Sequence, residues 1–203
     1  FIQLDIWTLI MKSTKFAFAL STLLLAGTAN ADILGANAEA GIFDGDDGSA
    51  TYLSIDIQHP IPLIPNLRLD SWDFESDPSG TEISHLDFTG YYGVGILWAS
   101  LEGGVTFRSL DMDRGASSDS ESVPMLFLAA SLAIPGTGIT LAAESKNISS
   151  FDDVTITDQS FKIQYQPLPI VGLEAGYRSI EQETNFLGNT DYDGYFIGVT
   201  IDI

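Results

Sequence analysis

The sequence predicts an all-β fold, an antiparallel up-and-down barrel of ten strands. Three observations carry this reading. Apolar and polar residues alternate with period 2 along the chain past Asp32. Clusters of Gly, Pro, Asp and Ser break the alternation at intervals of about 8–15 residues. Helical periodicity is almost absent from the same stretch.

The chain opens on a targeting segment. Lys12 and Lys15 form a basic n-region, Phe16 to Ala26 is mostly apolar, and Ala29-Asn30-Ala31 is an A-x-A cleavage site. The apolar core is shorter than the ~20 residues a spanning helix needs. Residues 11–31 are therefore expected to be a signal peptide, cut after Ala31. Residues 1–10 lack the character of an n-region and read as upstream sequence translated in error, with Met11 the initiator. Residues 32–203 are expected to form one domain.

That domain contains no cysteine, so an exported fold must hold without disulfides. The formal net charge of the whole chain is −20, and loss of Lys12 and Lys15 makes the remainder relatively more acidic. Such a chain repels phosphates, which excludes nucleic acid as a partner.

Ten strands are expected at 33–43, 51–58, 67–74, 82–92, 96–109, 123–133, 139–147, 154–166, 172–181 and 192–203. In the first, Leu34, Ala36, Ala38, Ala40 and Ile42 alternate with Gly35, Asn37, Glu39 and Gly41. In the fifth, Leu97, Ala99, Leu101, Val105 and Phe107 oppose Trp98, Ser100, Glu102, Thr106 and Arg108. The last sets Tyr195, Ile197, Val199, Ile201 and Ile203 against Phe196, Gly198, Thr200 and Asp202. Two strands carry weaker patterns. Alternation slips after Asp70 in 67–74, and both faces of 123–133 are apolar. Eight strands is the alternative count if that pair is misread.

Alternation does not say which face is inside. A soluble lipocalin-like barrel buries the apolar face; a membrane barrel turns it to lipid. The connections discriminate. Even-numbered ones are short and uncharged: "HPIPLIPN" (59–66), "GVG" (93–95), "IPGTG" (134–138) and "PLPIV" (167–171). Odd-numbered ones are acidic: 44–50, 73–82, 110–122, 149–153 and 181–193. Short turns at one end and longer polar loops at the other are the asymmetry of outer-membrane barrels. An even strand number puts both termini on the turn side, as export demands. Glu39, Asp56, Arg68, Glu102, Arg108, Glu144, Lys146, Lys162, Glu174 and Arg178 all fall on polar strand faces. They are expected to point into the lumen and pair there. Aromatic residues gathered near strand ends suit interfacial girdles.

"GVTIDI" at the C-terminus resembles the terminal strand signal read by the barrel assembly machinery, with Gly198, Ile201 and Ile203 in the matching places. The last residue of that signal is most often Phe, and here it is Ile. The "HPIPLIPNLRL" corner resembles an uncharacterised family of small Gram-negative outer-membrane β-barrel proteins. That resemblance implies a transmembrane barrel in the bacterial outer membrane, with membrane lipid and lipopolysaccharide as surroundings. It implies no activity.

Few residues offer chemistry. His85 shares a strand face with Asp87, so a carboxylate could orient an imidazole base. Some small outer-membrane barrels modify lipid A with a His beside Ser or Asp, but none of their motifs is recognisable here. Asp44, Asp46 and Asp47 in "DGDDGS" fall short of an EF-hand, lacking its spacing and closing Glu. Weak collection of Ca²⁺ or Mg²⁺ by the acidic loops is expected, and no cofactor. The reading is a monomeric, non-enzymatic envelope or surface protein, or a narrow cation-favouring pore. The alternatives are a lipid A-modifying enzyme using His85 and Asp87, and a soluble periplasmic binding barrel.

Overall fold

The computed structural model describes residues 35–203 except 60, 62, 77–79, 152, 153, 185 and 187. The expected leader at 1–31, with Ala29 and Ala31, lies outside the described residues. Ten strands follow one another in order: β1 (Gly35–Gly45), β2 (Gly48–Gln58), β3 (Asn66–Glu75), β4 (Thr81–Ile96), β5 (Ala99–Arg114), β6 (Ser117–Ile134), β7 (Ile139–Phe151), β8 (Val154–Tyr165), β9 (Val171–Thr184) and β10 (Gly188–Asp202). Each pairs antiparallel with its neighbours in sequence, and β1 pairs with β10, so the sheet closes. Closure leaves no strand edge and satisfies the backbone within the sheet. Eight strands is therefore not the architecture; both weakly patterned segments are full strands.

Their weak patterns have one physical cause. The polarity of the wall inverts part-way up the barrel. On β5 the exposed side chains are Leu101, Val105 and Phe107 and the inward ones include Glu102 and Arg108. Two rungs on, Asp111 and Asp113 are exposed while Leu110 and Met112 are fully buried. On β3, Leu67 and Leu69 face out, then Trp72 and Phe74 face in. That switch is the slip after Asp70. On β6, Leu126 and Leu128 face out while Val123, Met125 and Phe127 face in, which makes both faces apolar.

The inversion also corrects the expected loops. The acidic stretches are mostly paired strand. Residues 110–122 continue β5 and β6 up to a turn at Gly115-Ala116, with Gly115 at φ +64°. Residues 181–193 continue β9 and β10, with Glu181 opposite Asp191. Residues 44–50 hold only a turn at Asp46-Asp47. Polarity alone had suggested loops; period 2 runs on through them, with the faces exchanged.

One turn sits elsewhere than expected. Gly93 and Gly95 lie within β4, opposite Glu102 and Ser100 of β5. The chain reverses at Leu97-Trp98, where Leu97 takes φ +56°. The strand expected at 96–109 therefore starts three residues late, at Ala99. The uncharged turns present apolar side chains: Leu63 is 92% exposed, Leu97 87% and Trp98 56%.

Candidate functional site

The site is the lumen, built in tiers by inward residues of successive rungs. At the acidic end lies an apolar plug. Phe43, Trp72, Phe74, Leu110, Met112 and Ile180 are buried in one cluster, and Tyr192 and Phe196 complete it. Phe43 meets Trp72 edge-on with ring centres 5.1 Å apart. A second apolar group, Val123, Met125, Val154 and Ile156, closes the opposite wall.

Beneath the plug is an ion-pair layer. The Arg108 guanidinium is wholly buried. Its Nε donates to Asp87 Oδ1 at 2.7 Å and its Nη2 to Asp158 Oδ2 at 2.6 Å. Arg178 grips the same Asp158 through Nε at 2.9 Å and Nη2 at 2.6 Å, and lies over the Trp72 ring at 4.1 Å. Lys146 Nζ reaches Asp70 at 2.8 Å and Asp87 at 3.0 Å. A lower layer follows. Arg68 joins Asp56 at 2.9 Å and Glu144 at 2.6 Å, with Glu102 at 3.8 Å. Lys162 joins Glu39 at 2.5 Å and Glu174 at 3.1 Å. The Tyr91 hydroxyl donates to Asp56 at 2.8 Å, and that of Tyr52 to Glu174 at 2.6 Å. A cavity of about 200 Å³ opens below, lined by Asn37, Glu102, Ser131, Gln164 and Asp202 among others.

All ten expected lumen charges thus sit inside the barrel. Asp70 and Asp158 belong with them and were missed, as were Tyr52 and Tyr91. Period 2 finds both acids: Asp158 is in phase with Lys162, and Asp70 with Arg68.

His85 and Asp87 do share the lumen face but do not form a working pair. Both Asp87 oxygens are taken by Arg108 and Lys146. The His85 ring stacks on Trp72 at 6.2 Å, and its Nε2 has no hydrogen-bond partner among the described residues. Ser84 points to the other face of the strand, across from Asp111. Asp44, Asp46 and Asp47 are exposed, and no group of three or more potential metal ligands forms among the described residues. Gly198 faces inward under the Tyr52 hydroxyl, where a Cβ would come within 2.3 Å of that oxygen. Ile201 lies in the β1–β10 seam opposite Ala38.

Around the ion-pair layers the outer surface is apolar: Leu69, Phe88, Leu101, Phe107, Leu128, Phe161, Leu173 and Ile197 are all exposed. A soluble barrel with charges within and such a surface would aggregate; in a bilayer the same surface is solvated by lipid. Only closed barrels and helices satisfy their backbone there. The protein is an outer-membrane β-barrel.

No protein-family model matches the chain, and no curated protein matches it. Among solved structures it is similar to Neisserial surface protein A, at 13% identity and a TM-score of 0.42, over 84% of this chain and 96% of that one. It is also similar to the NanC porin, at 13% identity and 0.46, over 83% and 100%. A third is the N-terminal β-barrel domain of Pseudomonas aeruginosa OprF, at 12% identity and 0.39, over 83% and 97%.

Proposed function

We propose that this barrel is a non-enzymatic envelope protein with a sealed lumen, its acidic end facing outward from the cell. One observation supports this above others. The lumen is filled at the acidic end by packed apolar side chains and in the middle by ion pairs that use up one another's charges. A hydrated path needs polar groups that stay free to meet a solute. Among the described residues, Asp87 and Asp158 are held by Arg108, Lys146 and Arg178. The narrow cation pore is therefore the weaker version of the reading.

The lipid A enzyme is weaker still, because its base would be roofed by Trp72 and its carboxylate neutralised. The outward acids, among them Asp73, Glu75, Glu82, Asp111 and Asp113, would stand among lipopolysaccharide phosphates and gather Ca²⁺ or Mg²⁺ diffusely. The test is to reconstitute the protein from Met11 into planar bilayers and to record lipid A species in cells with and without it. Silence in both supports the proposal. Steady cation-selective current would restore the pore, and a changed lipid A profile lost with His85→Ala would restore the enzyme.

A further inference from the structure

The proline-rich connection between β2 and β3 does not stand away from the barrel. Its described residues fold against the outer face of β4. The hydroxyl of Tyr92, an outward residue of β4, donates to Leu63 O at 2.9 Å. Gly90 is a gap in the outward row Leu86, Phe88, Gly90, Tyr92 and Val94. Pro65 lies over that gap, 3.9 Å from where a Cβ would stand. Leu63 and Pro65 are thus on the outer side of the wall rather than at its mouth.

The backbone there is suited to hydrocarbon, where a free N–H is costly. Pro60, Pro62 and Pro65 have no N–H at all. The N–H groups of His59, Ile61 and Ile64 donate to Asn66 Oδ1 at 3.1 Å, His59 Nδ1 at 3.2 Å and Ile61 O at 3.4 Å. Because His59 Nδ1 accepts, the ring carries its proton on Nε2, which donates to Pro65 O at 3.1 Å. The imidazole therefore staples the two sides of the connection together.

The side chains match the backbone. No Asp, Glu, Lys or Arg lies between Asp56 and Arg68, and those two pair with each other inside the lumen. Ile57, Ile61, Leu63, Ile64, Leu67 and Leu69 are all exposed. They join the outward apolar residues of β2 to those of β3 without a break in charge or polarity on that face. Leu63 stands out among them. It is almost fully exposed at φ +120°, a conformation that favours glycine. In water a leucine would gain nothing for that strain; in lipid its side chain is solvated.

We infer that Ile61, Leu63, Ile64 and Pro65 form a shelf immersed in the acyl chains of the turn-side lipid leaflet. The occupant follows from continuity. The shelf adjoins the exposed apolar faces of β2, β3 and β4, which the bilayer already covers, and no charged side chain separates it from them. The inference rests on the membrane reading above.

The chain contains no cysteine, so single spin labels report cleanly. Leu63→Cys, and Leu101→Cys on the outward face of β5, are labelled in vesicles of phosphatidylcholine and phosphatidylglycerol. Collision rates are then measured with oxygen, which concentrates in hydrocarbon, and with a water-soluble nickel chelate. The shelf predicts oxygen dominance at both sites. Nickel dominance at 63 with oxygen dominance at 101 overturns the shelf alone and leaves the connection in water. Shielding of 63 from both reagents also overturns it, in favour of a second copy packed on that face. Nickel dominance at 101 overturns the membrane reading and the shelf with it.

Discussion

Removing the Arg108 guanidinium leaves Asp87 and Asp158 on one side of a layer where water does not reach. Arg108→Ala is predicted to destabilise the barrel by about 3–5 kcal/mol, the cost of stranding buried charge. Urea unfolding in lipid vesicles, followed by tryptophan fluorescence, measures it. Arg68 is partly exposed beside the open cavity, so Arg68→Ala is predicted to cost clearly less in the same experiment. His85 carries the opposite expectation. Its Nε2 is buried against the Trp72 ring with no hydrogen-bond partner among the described residues. His85→Phe removes an unsatisfied polar atom and keeps the stack, so stability is predicted to be unchanged or to rise by about 1 kcal/mol. A loss of several kcal/mol in that variant would mean that the imidazole has a polar role the ring stack does not explain. Gly198 belongs to the same scale: Gly198→Ala drives a methyl into the Tyr52 hydroxyl and is predicted to slow folding or block it.

On the outward face of adjacent strands, an introduced arginine has different consequences at different heights. Phe88→Arg on β4 puts a cation in lipid and is predicted to cost about 2–4 kcal/mol. Asp111→Arg on β5, above the belt, replaces one acid among many and is predicted to cost nothing measurable. Equal penalties in vesicle unfolding would refute the placement of the boundary between Phe107 and Asp111.

This scale also shows what was legible beforehand. Strand number, pairing order and the inward charges could be read because period 2 survives wherever one face is apolar. The heights of the strands could not. Above the belt, water replaces lipid outside and the inward face becomes the apolar one, so "LDMDRGASSDSES" reads as a loop when judged by its polarity. The turn at Leu97-Trp98 was hidden for another reason. Gly93 and Gly95 punctuate the sequence more strongly than the residues that turn, yet they face the lumen within β4. Asp158 escaped notice because its neighbours are polar on both faces; only its phase with Lys162 marks it as inward.

At the scale of the whole molecule, two barrels are stacked on one set of strands. The lower one is a membrane barrel, apolar outside and ion-paired within. The upper one is built like a water-soluble barrel, acidic outside and packed with aromatic and aliphatic side chains. The plug is the core of that upper part and holds the strand extensions together. Thinning the plug should therefore weaken the acidic end before it opens a pore. Leu110→Ala is predicted to cost about 2–5 kcal/mol and to speed hydrogen exchange on β5 and β6 beyond Arg108, with the rungs below unaffected.

The stacked arrangement is tested most directly by a cysteine scan of β5 from Leu101 to Asp113 in vesicles, reading each site by its reaction with a water-soluble maleimide and its quenching by a lipid-borne quencher. The account predicts lipid contact at 101, 105 and 107, water contact at 111 and 113, and neither at 108, 110 and 112. Water contact at 105 and 107, or lipid contact at 111 and 113, would contradict it.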